Sequence, residues 1–260
     1  MKFLGQNNTN GASNNLYMIV TKMIPSKFQF KQFAMIQRDS GQRINTDSCA
    51  FGDLVEGNSP SRILDVGCGT GVLTLMMAQK YSAAQITGIE IDPNDATVAA
   101  ENFVSSPWQN RLQVLNLRVQ DFKQPNETKF DLILCNPPFF RSSTKSQDPA
   151  RALARHDDQL PAGELAASIG RLLSPSGIAW LLCAADEEGR WLNAFCKVGL
   201  SLRNKISLAD NPEALPHAIA ISFVDENSPQ VQSRRIDYRV ASGGERSIWM
   251  AQHRARWFPF

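Results

Sequence analysis

From Arg62 onward, short and almost wholly apolar runs alternate with stretches whose apolar residues recur at i, i+3 and i+4. A short run lacking a polar face fits a strand covered on both sides, and one-sided spacing fits a helix lying against it. The pattern therefore predicts a largely parallel sheet with helices on both faces. Strands are predicted over residues 62–66, 85–91, 112–117, 130–135, 178–183, 200–207 and 218–224, and helices over 72–81, 95–104, 163–173 and 187–198. The last two strands are joined only by residues 209–217, which carry Asn211-Pro212 and Pro216 and no helical period, so they are expected to pair antiparallel. Ahead of the core, Phe28, Phe30 and Ala34 alternate with polar residues, predicting a short hairpin within 27–37.

Seven strands with a reversed last pair resemble the Rossmann-like α/β fold of class I methyltransferases. A chain of 260 residues suits one such domain. The expected layout is a flexible tail over residues 1–24, rich in Asn, Gly, Ser and Thr, and a single domain over 25–260. Residues 25–58 form its front segment, expected to be hairpin and loop. Hydrophobic content of 43% and charged content of 20% describe a globular chain with a sizeable core, and no apolar run reaches the ~18 residues needed to span a bilayer. No signal peptide is visible. Five scattered cysteines with no C-x-x-C pair argue against a disulfide framework or a zinc site, and so for a metal-free protein of the reducing cytoplasm. A net charge of +2 and a pI near 8.3 are too mild to indicate nucleic acid unaided, and the oligomeric state stays open, a monomer being compatible with everything above.

The first predicted strand runs into Asp65-Val66-Gly67-Cys68-Gly69-Thr70-Gly71, a glycine-rich turn before a helix. Glycines there let the backbone adopt positive φ and pass close to a nucleotide, although dinucleotide-binding folds place a related turn at the same point. Asp65 distinguishes the ligand. A carboxylate repels a pyrophosphate and attracts an ammonium, and S-adenosylmethionine carries an ammonium on its methionine moiety. Glu90, at the end of the second predicted strand, is placed to accept both ribose hydroxyls. Asp121 and Phe122, after the third, are candidates for the adenine amino group and the adenine ring.

The fourth predicted strand ends in Asn136-Pro137-Pro138-Phe139. The Asn136 carboxamide oxygen and the Pro137 carbonyl are two acceptors in a rigid setting, and Phe139 offers a stacking face, so together they fit a planar NH2 group. Such a nitrogen has its lone pair tied into a π-system. Accepting its two hydrogens positions it and turns the lone pair toward an incoming methyl group, with no general base required beforehand. Taken alone, Asn-Pro-Pro also reads as a turn ending a strand.

These residues resemble the N-P-P-[Y/F/W] methyltransferases, whose acceptors are exocyclic nitrogens of adenine or guanine and a glutamine of peptide chain release factors. Phe28-Gln29-Phe30-Lys31-Gln32-Phe33 and Asn45-Thr46-Asp47 are similar to the front of the bacterial tRNA adenine-37 N6-methyltransferases that act on a valine tRNA. Ser106-Pro107-Trp108, Ala154-Arg155-His156 and Leu215-Pro216-His217 are further points of likeness. The chain departs from that family in having Asn45 and Ser48 where glycines flank the Thr-Asp pair, and Ile36 where a histidine is usual. The resemblance implies a tRNA partner and places Thr46 and Asp47 beside the methionine end of the cofactor, although a helix N-cap explains that segment equally well. Lys31, Arg141, Lys145, Arg155 and His156 are candidate RNA contacts, joined by a basic, aromatic C-terminal stretch from Arg234 to Phe260. The alternatives are a release-factor glutamine methyltransferase, which would carry a longer helical front, a DNA adenine methyltransferase, which would carry a recognition insertion, and a noncatalytic binder.

Overall fold

The structure is a computed structural model that describes residues 26–37, 44–123, 128–137, 161–225 and 230–259. It opens with the hairpin β1 (Ser26–Gln29) and β2 (Ala34–Gln37), then helix α1 (Thr46–Leu54). Alternating units follow: β3 (Arg62–Val66), α2 (Val72–Lys80), β4 (Gln85–Glu90), α3 (Pro93–Val104), β5 (Leu112–Asn116) and β6 (Phe130–Cys135). The second half holds α4 (Ala162–Leu172), β7 (Leu173–Ala184), α5 (Glu188–Cys196), β8 (Ser201–Ala209), β9 (Ala218–Val224), β10 (Gln232–Asp237) and α6 (Ile248–Trp257). No helix among the described residues is long and apolar enough to cross a membrane.

The main sheet has the order β10-β8-β9-β7-β6-β3-β4-β5. Strands β3 to β7 run parallel, while β9 pairs antiparallel with both β7 and β8, giving the expected reversed end. Two apolar layers flank the sheet. In β6, Leu132 and Leu134 enter one layer and Ile133 and Cys135 the other, the period-2 signature of a strand buried on both faces. Each such fully buried Leu or Ile contributes about 1.5 to 3 kcal/mol.

Three features depart from the sequence reading. An eighth strand, β10, extends the sheet beside β8, running parallel to it. Its segment is Gln-Ser-Arg-Arg-Ile-Asp, whose single hydrophobic residue, Ile236, is buried, so no apolar alternation announces it. The front segment is hairpin and helix, not hairpin and loop. Helix α1 lies sunk among its neighbours, with Cys49, Ala50, Phe51, Gly52 and Leu54 all buried, which removes the one-sided period. Gly52 allows that close fit, because a Cβ there would sit 2.6 Å from Met76 Sδ on α2. Finally, β7 begins at Leu173, not at residue 178.

The hairpin is clamped from the far end of the chain. Phe30 stacks on Phe33 at 4.3 Å between centroids and on Phe258 at 5.3 Å, and the Lys31 N–H donates to the Trp257 carbonyl. Helix α6 is held in turn by Asp53 of α1, which accepts from Arg256 at 2.6 Å, from Trp257 Nε1 at 3.0 Å and lies 3.3 Å from His253 Nδ1. Burial alone would raise the Asp53 carboxyl. Hydrogen bonds from His253 and Trp257, with the nearby charges of His253 and Arg256, outweigh it and hold the group at about 2.

Candidate active site

The glycine turn leaves the end of β3 and bends over β4, where the N–H groups of Gly67 and Cys68 both donate to the Ile89 carbonyl. Gly67, Gly69 and Gly71 have φ of 69°, 54° and 93°. The third serves packing, since a Cβ at Gly71 would run into the Phe103 ring, whereas one at Gly67 or Gly69 would meet no described atom within 4 Å. Glu90 braces the turn. Its Oε2 accepts from the Gly69 N–H and its Oε1 from the Asp92 N–H, leaving each oxygen a further lone pair.

Asp65 is wholly buried at the base of this turn. Thr74 Oγ1 donates to its Oδ2 at 2.7 Å, and its Oδ1 has no hydrogen-bond partner among the described residues. Burial pushes the carboxyl up to about 7, with the Thr74 hydrogen bonds opposing and the Glu90 charge adding to the rise. As a buried acceptor with an unmatched oxygen among the described residues, Asp65 could hold an ammonium such as that of an amino acid.

Strand β6 pairs with β3 so that Cys135 faces Val66, which sets Asn136 beside the glycine turn. Asn136 Nδ2 donates to Ser48 Oγ at 3.0 Å, and the buried Asn136 Oδ1 has no partner among the described residues. Ser48 belongs to the first turn of α1, whose N-cap is Asn45. The front helix is thus joined to the end of β6. Pro137 is half-buried, while Pro138 and Phe139 lie outside the described residues.

Thr46 is the first residue of α1 and is exposed. Asp47 points inward, 3.0 Å from His217 Nε2 and accepting from the Tyr238 hydroxyl at 2.9 Å, so two of the stretches singled out in the sequence meet here. Asp121 is exposed in the turn after β5. Phe122 is 7% exposed and packs against Phe130 in the core, its carbonyl held by Arg171. At the hairpin tip Lys31 Nζ donates to the Ala255 carbonyl. Arg141, Lys145, Arg155 and His156 lie outside the described residues. Much of the C-terminal basic stretch is engaged within the molecule: Arg235 holds the carbonyls of Asn211, Pro212 and Ala214, and Arg254 sits over Phe258.

Sequence reasoning missed Asn45 and Ser48 as members of the site. The signal was available, since Asn three residues ahead of a serine at the start of a helix is capping chemistry. A third missed residue is Asn102 of α3, which is buried. It accepts from the Ile36 N–H at 2.7 Å and donates to the Ile36 and Thr70 carbonyls, tying the hairpin to the glycine turn.

A family model for the methyltransferase small domain matches residues 40–168. Three curated proteins named tRNA1(Val) (adenine(37)-N6)-methyltransferase are similar over most of their length. The one from Cytophaga hutchinsonii is 39% identical, covering 74% of this chain and 81% of its own. Those from Bacteroides fragilis and Shewanella baltica are 37% and 34% identical, covering 75% and 82% of this chain and 83% and 90% of their own. Among solved structures, one described as a predicted O-methyltransferase from Agrobacterium tumefaciens superposes with a TM-score of 0.64 at 12% identity, over 81% of this chain and 96% of its own. A methyltransferase from Pyrococcus furiosus gives 0.54 at 15% identity, over 85% and 100%. These two share the class I methyltransferase fold. With a sheet of that class and curated relatives matched along most of their length, the chain belongs to the tRNA1(Val) (adenine(37)-N6)-methyltransferase family.

Proposed function

We propose that this protein transfers a methyl group from S-adenosylmethionine to N6 of adenosine 37 in the anticodon loop of a valine tRNA. The observation that carries the reading is a pair of buried acceptors, Asp65 Oδ1 and Asn136 Oδ1, both without a partner among the described residues and set at the ends of adjacent strands. Such atoms are costly to leave unmatched, and the ammonium of the cofactor at Asp65 with the amino group of the substrate at Asn136 answers both.

In this reading Asp65 holds the ammonium, Gly67 and Gly69 give the cofactor room, and Glu90 accepts the ribose hydroxyls. Asp121 receives the adenine amino group, with Phe122 packed beneath the turn that presents it, and Thr46 stands at the mouth of the site. When bound, S-adenosylmethionine supplies an electrophilic methyl group. Asn136 Oδ1 and the Pro137 carbonyl accept the two hydrogens of N6, and Pro138 and Phe139 complete the clamp with a stacking face. An anticodon-loop base is already partly unstacked, and stacking on an aromatic ring returns roughly 1 to 3 kcal/mol. Lys31, Arg141, Lys145, Arg155 and His156 are the proposed contacts to the tRNA. Residues 25–260 act as one domain after a tail of 24, a single chain holds every group named, and the substrate puts the reaction in the cytoplasm. The release-factor alternative is not favoured, since the relatives described above all carry the tRNA name.

The test is to incubate the protein and labelled S-adenosylmethionine with tRNA, a release factor and duplex DNA, and to map the label. N6-methyladenosine at position 37 is expected, and Asn136→Ala should abolish it while binding the cofactor normally. Label confined to the release factor or to DNA overturns the reading.

A further inference from the structure

We infer that Ser48, fixed by Asn45, is a positioning residue that sets which way the Asn136 carboxamide faces. The chain of reasoning starts at a group whose role cannot change. The Ser48 backbone N–H can only donate, and it meets Asn45 Oδ1 at 2.8 Å, so that atom of Asn45 is an acceptor. The Ser48 hydroxyl lies 2.9 Å from the same oxygen and therefore gives its hydrogen there. What it presents to Asn136, 3.0 Å away, is lone pairs, and the carboxamide atom that answers them must carry hydrogens. Nδ2 is thus turned to Ser48, and Oδ1 to the opposite side, where it is buried and unpaired among the described residues.

A flipped carboxamide is disfavoured twice. The Ser48 hydroxyl would have to abandon Asn45 to donate to Oδ1, and the NH2 would then face the place where a substrate amino group brings hydrogens of its own. Ser48 is 4% exposed, which leaves little access for a water to substitute for the hydroxyl. The N-cap of α1 therefore does more than end a helix: its capping oxygen anchors a three-residue relay, Asn136 to Ser48 to Asn45, whose outcome is an acceptor aimed into the site.

The inference rests on reading Asn136 Oδ1 as the acceptor for the substrate amino group, and the experiment separates the two. In the full-length protein, Ser48→Ala should lower kcat for tRNA methylation about ten- to a hundredfold while leaving the S-adenosylmethionine Kd within about twofold. Ser48→Thr, which keeps the hydroxyl, should restore kcat to within a few-fold of wild type. Asn45→Asp, which keeps the acceptor, should stay near wild type, and Asn45→Ala should fall as Ser48→Ala does although Ser48 is intact. A second readout needs no substrate. The Asn136 side-chain amide resonance, identified by its loss in Asn136→Ala, should shift in Ser48→Ala and exchange with solvent at least about tenfold faster. Wild-type kcat in Ser48→Ala, or an unchanged Asn136 amide, overturns the inference. If the wild-type protein fails to methylate tRNA, the proposed function fails, and the amide measurement alone decides the relay.

Discussion

The Thr74 hydroxyl donates to Asp65 Oδ2 at 2.7 Å, while Oδ1 of the same buried carboxylate is unpaired among the described residues. Neutral hydrogen bonding from Thr74 does not compensate the burial of this charge, which is why the group is pushed up to about 7. An ammonium beside Oδ1 would reverse that effect by favouring the ionised form. Below pH 7 the ligand must therefore displace a proton from Asp65, and above it need not. S-adenosylmethionine should bind about tenfold more weakly at pH 6 than at pH 8, as titration calorimetry can measure, and Asp65→Asn should lose both the affinity and this pH step.

The same carboxyl makes a prediction about stability without ligand. Its folded value, about 7, lies above the ordinary 3.8, so its favourable contribution is full below 3.8 and is lost as pH rises through 7. At pH 8 the ligand-free protein carries the whole cost. Asp65→Asn, which can still accept from Thr74, should therefore be more stable than wild type there, by between about 1 and 4 kcal/mol in chemical denaturation. Equal or lower stability would count against the charge as the source of strain.

Gly69→Ala and Gly71→Ala should fail in different ways. At Gly69 the new methyl meets no described atom but sits at positive φ, so a cost of about 1 to 2 kcal/mol and an occluded cofactor site are expected. At Gly71 the methyl also runs into Phe103, and the stability loss should reach about 2 to 4 kcal/mol. Comparing denaturation midpoints with cofactor affinity distinguishes the two glycines.

Asp53→Ala removes the acceptor shared by His253, Arg256 and Trp257 and should cost on the order of 3 kcal/mol in thermal unfolding at neutral pH. Because this carboxyl is held at about 2, below its ordinary 3.8, the stability it contributes is present above 3.8 and lost as pH falls toward 2. The gap between mutant and wild type should accordingly narrow in acid.

The parallel core and its reversed end were legible because β6 and β9 are almost unbroken apolar runs and β3 carries a shorter one, the mark of strands covered on both faces. The glycine turn after β3 and the place of Asn136 at the end of β6 were legible because each motif follows a strand that the apolar pattern marks. Helix α1 was not, since burial on nearly every side erases its periodicity, and β10 was not, since an exposed edge strand needs no apolar face. Ser48 escaped for a third reason. Its partner Asn136 is 88 residues away in the chain, a relationship that only the folded sheet creates.

Asn102 touches both Ile36 of the hairpin and Thr70 of the glycine turn through a single carboxamide. Neither segment can move far without disturbing the same set of bonds, so the hairpin and the turn should breathe as one unit. A ligand that quiets the turn would then slow deuterium uptake at Ile36. The front of the molecule would register the donor's arrival before any nucleic acid approached it.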